Sequence, residues 1–272
     1  MTGRPRDIFE IGHRRWHMTE KHWQLLILAA LIIPAILSSK ADALIGGRTD
    51  HRDRFTATVK FAGQMDCTAV IIGPAAVVTA GHCIDDAGEG TVELADGSTL
   101  PISCNRHPDY NGVNDVALCR LLGGAFSGMN FEVLQTDRSK VSEDSSIVLN
   151  GFGCTTPIPD GPQLKLFSWG AAGLRAKSKD PNPPDGAHPE DALMIADGGA
   201  VLCSGDSGSA AFDNDDPSSR YVVGIGIRGD SVSKTSWLIQ VSDSRILDWF
   251  RKWGDEWGSP ICGVHSNASG CR

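Results

Sequence analysis

The sequence predicts an all-β chain, a sandwich or barrel, closed by a single C-terminal α-helix. Three observations carry this: short β-type runs separated by turn residues, ample Gly (31) and Pro (14), and an apolar stripe of helical period found only near the end. The runs come in order as Phe55 to Phe61, Ala69 to Ile72, Ala76 to Thr79, Val92 to Leu94 and Val116 to Leu121. Ile147 to Phe152, Leu164 to Trp169, Ala210 to Phe212 and Tyr221 to Ile227 follow. The stripe is Ile246, Leu247, Trp249, Phe250 and Trp253, and Ser242-Asp243-Ser244 before it offers an N-cap. Asp180 to Pro189 holds four prolines and no apolar pattern, so it reads as a surface loop.

Composition narrows the function. At 272 residues the chain is long enough for a sizeable core, and a net charge of −8 gives no general pull toward a phosphate backbone, so no nucleic-acid partner is expected. No heptad or fixed-period repeat is present, which removes coiled coils and solenoids.

The first 43 residues read as an export segment. A basic stretch with Arg4, Arg6, Arg14, Arg15 and Lys21 precedes an uncharged run from Leu25 to Leu37 that contains Pro34, and Ala41-Asp42-Ala43 supplies small residues for signal peptidase. The run falls short of the roughly 20 residues a spanning helix needs; an uncleaved membrane anchor is the alternative. After cleavage the chain begins Leu44-Ile45-Gly46-Gly47, and no stable membrane association is expected. All eight cysteines (Cys67, Cys83, Cys104, Cys119, Cys154, Cys203, Cys262, Cys271) follow this segment without a Cys-x-x-Cys pair. That pattern predicts four disulfides, no metal, and a secreted location, extracellular or periplasmic.

Three segments carry candidate chemistry. Thr79-Ala80-Gly81-His82-Cys83 sets a histidine at a strand end, Asn114-Asp115 sets a carboxylate before a strand, and Cys203-Ser204-Gly205-Asp206-Ser207-Gly208 sets a hydroxyl in a glycine-flanked loop. Each alone is an ordinary structural feature. Together His82, Asp115 and Ser207 supply the base, the orienting carboxylate and the nucleophile that acyl transfer needs. An α/β-hydrolase elbow is excluded, since Ser209 stands where its second Gly belongs and the partners precede the serine.

With Ile-Gly-Gly near Leu44, Thr-Ala-Gly-His-Cys, Asp-Val-Ala-Leu and Gly-Asp-Ser-Gly in that order, the chain resembles the trypsin/chymotrypsin-like serine proteases over nearly all of residues 44 to 254. The resemblance implies two six-stranded antiparallel β-barrels with the site between them. The barrels would span about 44–143 and 144–242, with a helix and disulfide tail over 243–272. It further implies a Ser207 nucleophile, His82 as base, Asp115 as its orienter, an oxyanion hole from the N–H groups of Gly205 and Ser207, and a pair between the freed amine of Leu44 and Asp206. Because Ala43 precedes Leu44, signal peptidase itself would free that amine.

The same resemblance places the base of the primary specificity pocket at Val201, where trypsin-like members carry Asp, and its walls at Leu202, Gly229 and Ser236. An apolar side chain before the scissile bond is therefore expected. Cys67–Cys83 has motif support. Cys154–Cys203 would replace a missing family bridge and would leave Cys104–Cys119 and Cys262–Cys271, although eight cysteines allow 105 connectivities. No cofactor is expected; the expected partner is a protein or peptide substrate, and the expected state a monomer. The alternative function is a catalytically silent scaffold of the same fold that binds or regulates.

Overall fold

The structure is a computed structural model that describes residues 44–110, 114–154, 166–175, 193–266 and 268–271. The export segment at 1–43 and the loop at 180–189 lie outside the described residues. Twelve strands form two closed antiparallel barrels. The first contains β1 (Thr58–Ala62), β2 (Asp66–Ile71), β3 (Ala76–Thr79), β4 (Glu89–Glu93), β5 (Thr99–Arg106) and β6 (Ala117–Leu121), in the order β1-β2-β3-β6-β5-β4. The second contains β7 (Ser146–Gly151), β8 (Ser168–Arg175), β9 (Leu193–Asp197), β10 (Ala210–Phe212), β11 (Val222–Asp230) and β12 (Thr235–Gln240), in the order β10-β11-β12-β9-β8-β7. Closure leaves no exposed sheet edge in either barrel.

The run read as a strand from Phe55 to Phe61 splits. Arg52–Phe55 form a 3₁₀ turn, because the Arg52 guanidinium donates to Phe55 O and, at 2.6 Å, to Thr58 O, tying those carbonyls into a turn before β1 begins. Leu164 lies outside the described residues, and the strand expected there is β8, which runs from Ser168 to Arg175.

Val59, Ala69, Ile71, Val77, Val92, Ile102 and Leu118 fill the first barrel, and Ile147, Leu149, Leu174, Ala196, Val223 and Leu238 the second. Between them an aromatic seam joins the halves: Phe55 lies 5.4 Å from Phe167 and 5.9 Å from Phe212, and Phe152 lies 5.6 Å from Phe167. The helix α1 (Ser244–Trp257) follows β12 and buries Ile246, Phe250 and Trp253 on the stripe read from the sequence. Among the described residues, no helix is long and apolar enough to cross a membrane.

Candidate active site

His82 stands where β3 has ended and the chain turns. Ala80 is extended, Gly81–Cys83 make one 3₁₀ turn, and Cys83 is bridged to Cys67 on β2 with their Cα atoms 6.2 Å apart. Asp115, just before β6, meets this turn twice. Its Oδ2 lies 2.6 Å from His82 Nδ1, and its Oδ1 accepts the His82 backbone N–H at 2.7 Å. A carboxylate in that position holds a proton on Nδ1 and leaves Nε2 free to act as a base. The turn is backed by Tyr110, whose ring would lie 2.8 Å from a Cβ on Gly81, and by Arg106, which donates to Gly81 O at 2.9 Å and stacks over Tyr110.

Ser207 arrives from the second barrel on a loop that only glycine can shape. Gly205 and Gly208 sit at φ +99° and +85°, in the left-handed region. Thr68 on β2 fastens the loop to the first barrel: its N–H donates to Ser207 O at 2.9 Å and its hydroxyl to Gly205 O at 2.8 Å. On the far side Gly208 N–H donates to Gly226 O at 2.7 Å. A side chain on Gly208 would collide with Thr68 and Thr79 and would come within 2.9 Å of Ala80 N, so the loop rests on the stem that carries His82. Cys83 Sγ is 3.8 Å from Ser207 O. Among the described residues, no protein acceptor takes the N–H of Gly205 or of Ser207, so both remain available to a ligand oxygen.

The Trypsin family matches residues 44–250. The chain belongs to the trypsin family. The solved structure of the VesB protease of Vibrio cholerae shares its fold, with a TM-score of 0.60 and 20% identity over 78% of this chain and 68% of that one. No curated protein matches the chain.

Within this trypsin-family chain the segment at Leu44 is already docked. Leu44 is fully buried, Ile45 and Val201 exchange backbone hydrogen bonds at 3.1 and 3.0 Å, and Arg48 and Trp169 exchange another pair. The Leu44 nitrogen, here a peptide N–H, donates to Ser168 Oγ and not to Asp206. Asp206 is fully buried, with Oδ1 accepting Gly153 N–H at 2.7 Å and Oδ2 accepting Cys203 N–H at 2.9 Å. Burial pushes its carboxyl well above the usual carboxylate range, and these two amides pull only partly the other way.

The residues expected to line the specificity pocket are together, but their walls touch. Leu202 N–H donates to Ser236 Oγ at 3.0 Å, and a Cβ on Gly229 would collide with Leu202 O. Gly229 thus packs directly against the Leu202 carbonyl, at a point where the β11 to β12 register shifts between Gly226 and Arg228. Val201, expected at the pocket base, is fully buried. A cleft of about 260 Å³ borders Gly205 and is lined by Lys60, Phe61, Asp66, Glu93 and Phe152 among others.

The four cysteine pairs are Cys67–Cys83, Cys104–Cys119, Cys154–Cys203 and Cys262–Cys271. Cys67, Cys83 and His82 form the one group of possible metal-ligating side chains among the described residues, and both sulfurs are held in a disulfide. Sequence reasoning missed Thr68 and Ser168, the two hydroxyls that hold the Ser207 loop and the Leu44 segment. Nothing around either residue in sequence distinguishes it from an ordinary strand position.

Proposed function

We propose that the protein is a secreted serine endopeptidase. The observation that carries the reading is the doubly bonded Asp115–His82 pair, with the Ser207 loop seated on the stem of the same histidine. In this reading His82 takes the Ser207 proton as the hydroxyl attacks a peptide carbonyl, then delivers it to the leaving amine. Asp115 keeps the imidazole in its productive tautomer and stabilises the imidazolium. The free N–H groups of Gly205 and Ser207 receive the oxyanion, and loss of one such donor costs about 3 to 4 kcal/mol of transition-state stabilisation. The leaving segment runs into the cleft beside Gly205. Four disulfides fit an oxidising compartment.

Activation follows from Asp206. While Leu44 stays in peptide linkage, the donors to this buried carboxyl among the described residues are two amides. Cleavage after Ala43 makes an ammonium at Leu44 that exchanges Ser168 for Asp206 and supplies the missing counter-charge. Val201 leaves no charge at the pocket base, so an apolar side chain enters once Leu202 and Gly229 part. Their contact is also the observation that favours the second reading, a catalytically silent scaffold.

Incubating the secreted protein with a diverse peptide library, beside Ser207→Ala, tests both. Cleavage after apolar residues that the variant abolishes is the expected result. Cleavage after Lys or Arg overturns the pocket assignment, and no cleavage by either protein overturns the endopeptidase reading.

A further inference from the structure

The Ser207 loop has a second attachment, on the side away from His82. The chain leaving β7, Phe152-Gly153-Cys154, lies flat along residues 203–207. Cys154 N–H donates to Ser204 O at 2.9 Å, and a Cβ on Gly205 would lie 3.0 Å from Gly153 Cα and 3.3 Å from Phe152 O. Phe152 N–H donates to the hydroxyl of Thr68, the same hydroxyl that donates to Gly205 O. Into this stack points the Asp206 carboxylate, and its two donors are the amides of Gly153 and Cys203. Both amides therefore belong to the arms of one disulfide: Cys203 is a member of the Cys154–Cys203 bridge, and Gly153 is the residue before its partner.

The placement has a physical consequence. Without the covalent tie, two segments 49 residues apart in sequence would be held together around a buried carboxyl by hydrogen bonds alone. If they separate by even a water's width, Asp206 loses the Gly153 N–H, the one amide that reaches it from the other segment, and one oxygen of a buried carboxyl left without its donor drives the loop to rearrange. Gly205 and Ser207 flank Asp206 directly, so their N–H groups move with it. Of the other three bridges, Cys67–Cys83 braces the His82 turn and meets Ser207 O from the opposite side, Cys104–Cys119 ties two strands of the first barrel, and Cys262–Cys271 closes a loop after α1; none of them holds an amide that grips Asp206.

We propose that the Cys154–Cys203 disulfide is a positioning bridge for hydrolysis, holding the Gly153 and Cys203 amides around Asp206 so that the Gly205 and Ser207 N–H groups keep their aim. The inference rests on the endopeptidase reading and adds the covalent tie on which turnover at that site depends. Its role is separable from general stability, because it acts on the two amides that grip Asp206 and not on the packing of either barrel.

The test compares the secreted protein with the double variant Cys154→Ala/Cys203→Ala and with Cys262→Ala/Cys271→Ala as a control. Hydrolysis is expressed per mole of folded protein by far-ultraviolet circular dichroism. The expected result is a fall in kcat of at least about tenfold, with KM within about twofold, in the first variant and no change in the control. An unchanged kcat with only a lower Tm overturns the proposal and makes the bridge a staple.

A second measurement does not depend on the variant folding. The unmodified protein is titrated with dithiothreitol, and thiol labelling with mass mapping reports which bridge has opened. Activity that falls with opening of Cys154–Cys203 while Cys67–Cys83 is still closed supports the proposal; activity that persists once Cys154–Cys203 is open, or that falls only when Cys67–Cys83 opens, overturns it. A fully oxidised protein that hydrolyses nothing refutes the endopeptidase reading itself, an outcome distinct from either.

Discussion

Asp115 gives one carboxylate oxygen to the His82 ring and the other to the His82 backbone N–H, so it fixes the orientation of the imidazole as well as its tautomer. Asp115→Asn keeps the shape and places an amide where the ring needs an acceptor. The expected outcome is a loss of kcat of about four orders of magnitude with little change in KM, read from steady-state hydrolysis of a short peptide. Asp206 yields a prediction of a different kind. With Leu44 in peptide linkage its folded pKa is raised above the unfolded value, so the folded state binds the proton more tightly. Its contribution is then fully favourable below the ordinary carboxylate range and is lost as pH rises from there through the raised folded value. In protein that retains residues 1–43, denaturant unfolding should show stability falling over that window, and Asp206→Asn should remove this part of the slope. His82, Asp115 and Ser207 were legible because each stands in a short, unusual string of neighbours. Thr68 and Ser168 were not, because a hydroxyl on a strand acquires its role only from what the fold brings opposite it.

At the scale of elements, the strands that the sequence hid explain themselves. β5 contains Pro101, which pairs with Thr91 in the sheet but is exposed, and it buries only Ile102 and Cys104, so neither an apolar run nor full alternation marks it. β12 is buried at all six positions, yet three of those, Thr235, Ser236 and Gln240, are polar; Ser236 and Gln240 point their side chains at Leu202 N–H and Ser242, partners far from obvious in sequence. α1 was legible because one helix face packs against one surface, and Ile246, Phe250 and Trp253 recur at its period. Its N-cap was legible too. Asp243 accepts Arg245 N–H at 3.0 Å and sits beside the Arg245 and Arg138 guanidiniums. Asp243→Ala should therefore cost about 1 kcal/mol in denaturant unfolding while leaving kcat unchanged, since the partners of its side chain are the helix N-terminus and the Arg245 and Arg138 guanidiniums.

Across the whole molecule, a site shared by two barrels demands that the barrels hold still against each other. The segment between β6 and β7 serves this need: Glu132 N–H donates to Ile71 O on β2, while Val133 O accepts Val222 N–H from β11. Beneath it lies a fully buried ion pair. Arg220, from the β10 to β11 turn, donates through Nε to Glu132 at 3.2 Å and through a second nitrogen to its other oxygen, and its guanidinium stacks between Phe55 and Phe212 at 4.4 and 4.2 Å. No composition or periodicity announces such a pair, because its two charges are 88 residues apart and look like surface residues until the barrels meet. Two buried charges paired in this way fix a single docking geometry more than they add to stability, since removing either takes a directly bonded counter-charge from the other. Arg220→Met and Glu132→Gln should each cost about 3 to 5 kcal/mol in unfolding free energy. The double variant should cost clearly less than the two together, because the two side chains bond each other directly. Additive losses in that cycle would mean that the pair serves packing alone and that the aromatic seam by itself joins the two barrels.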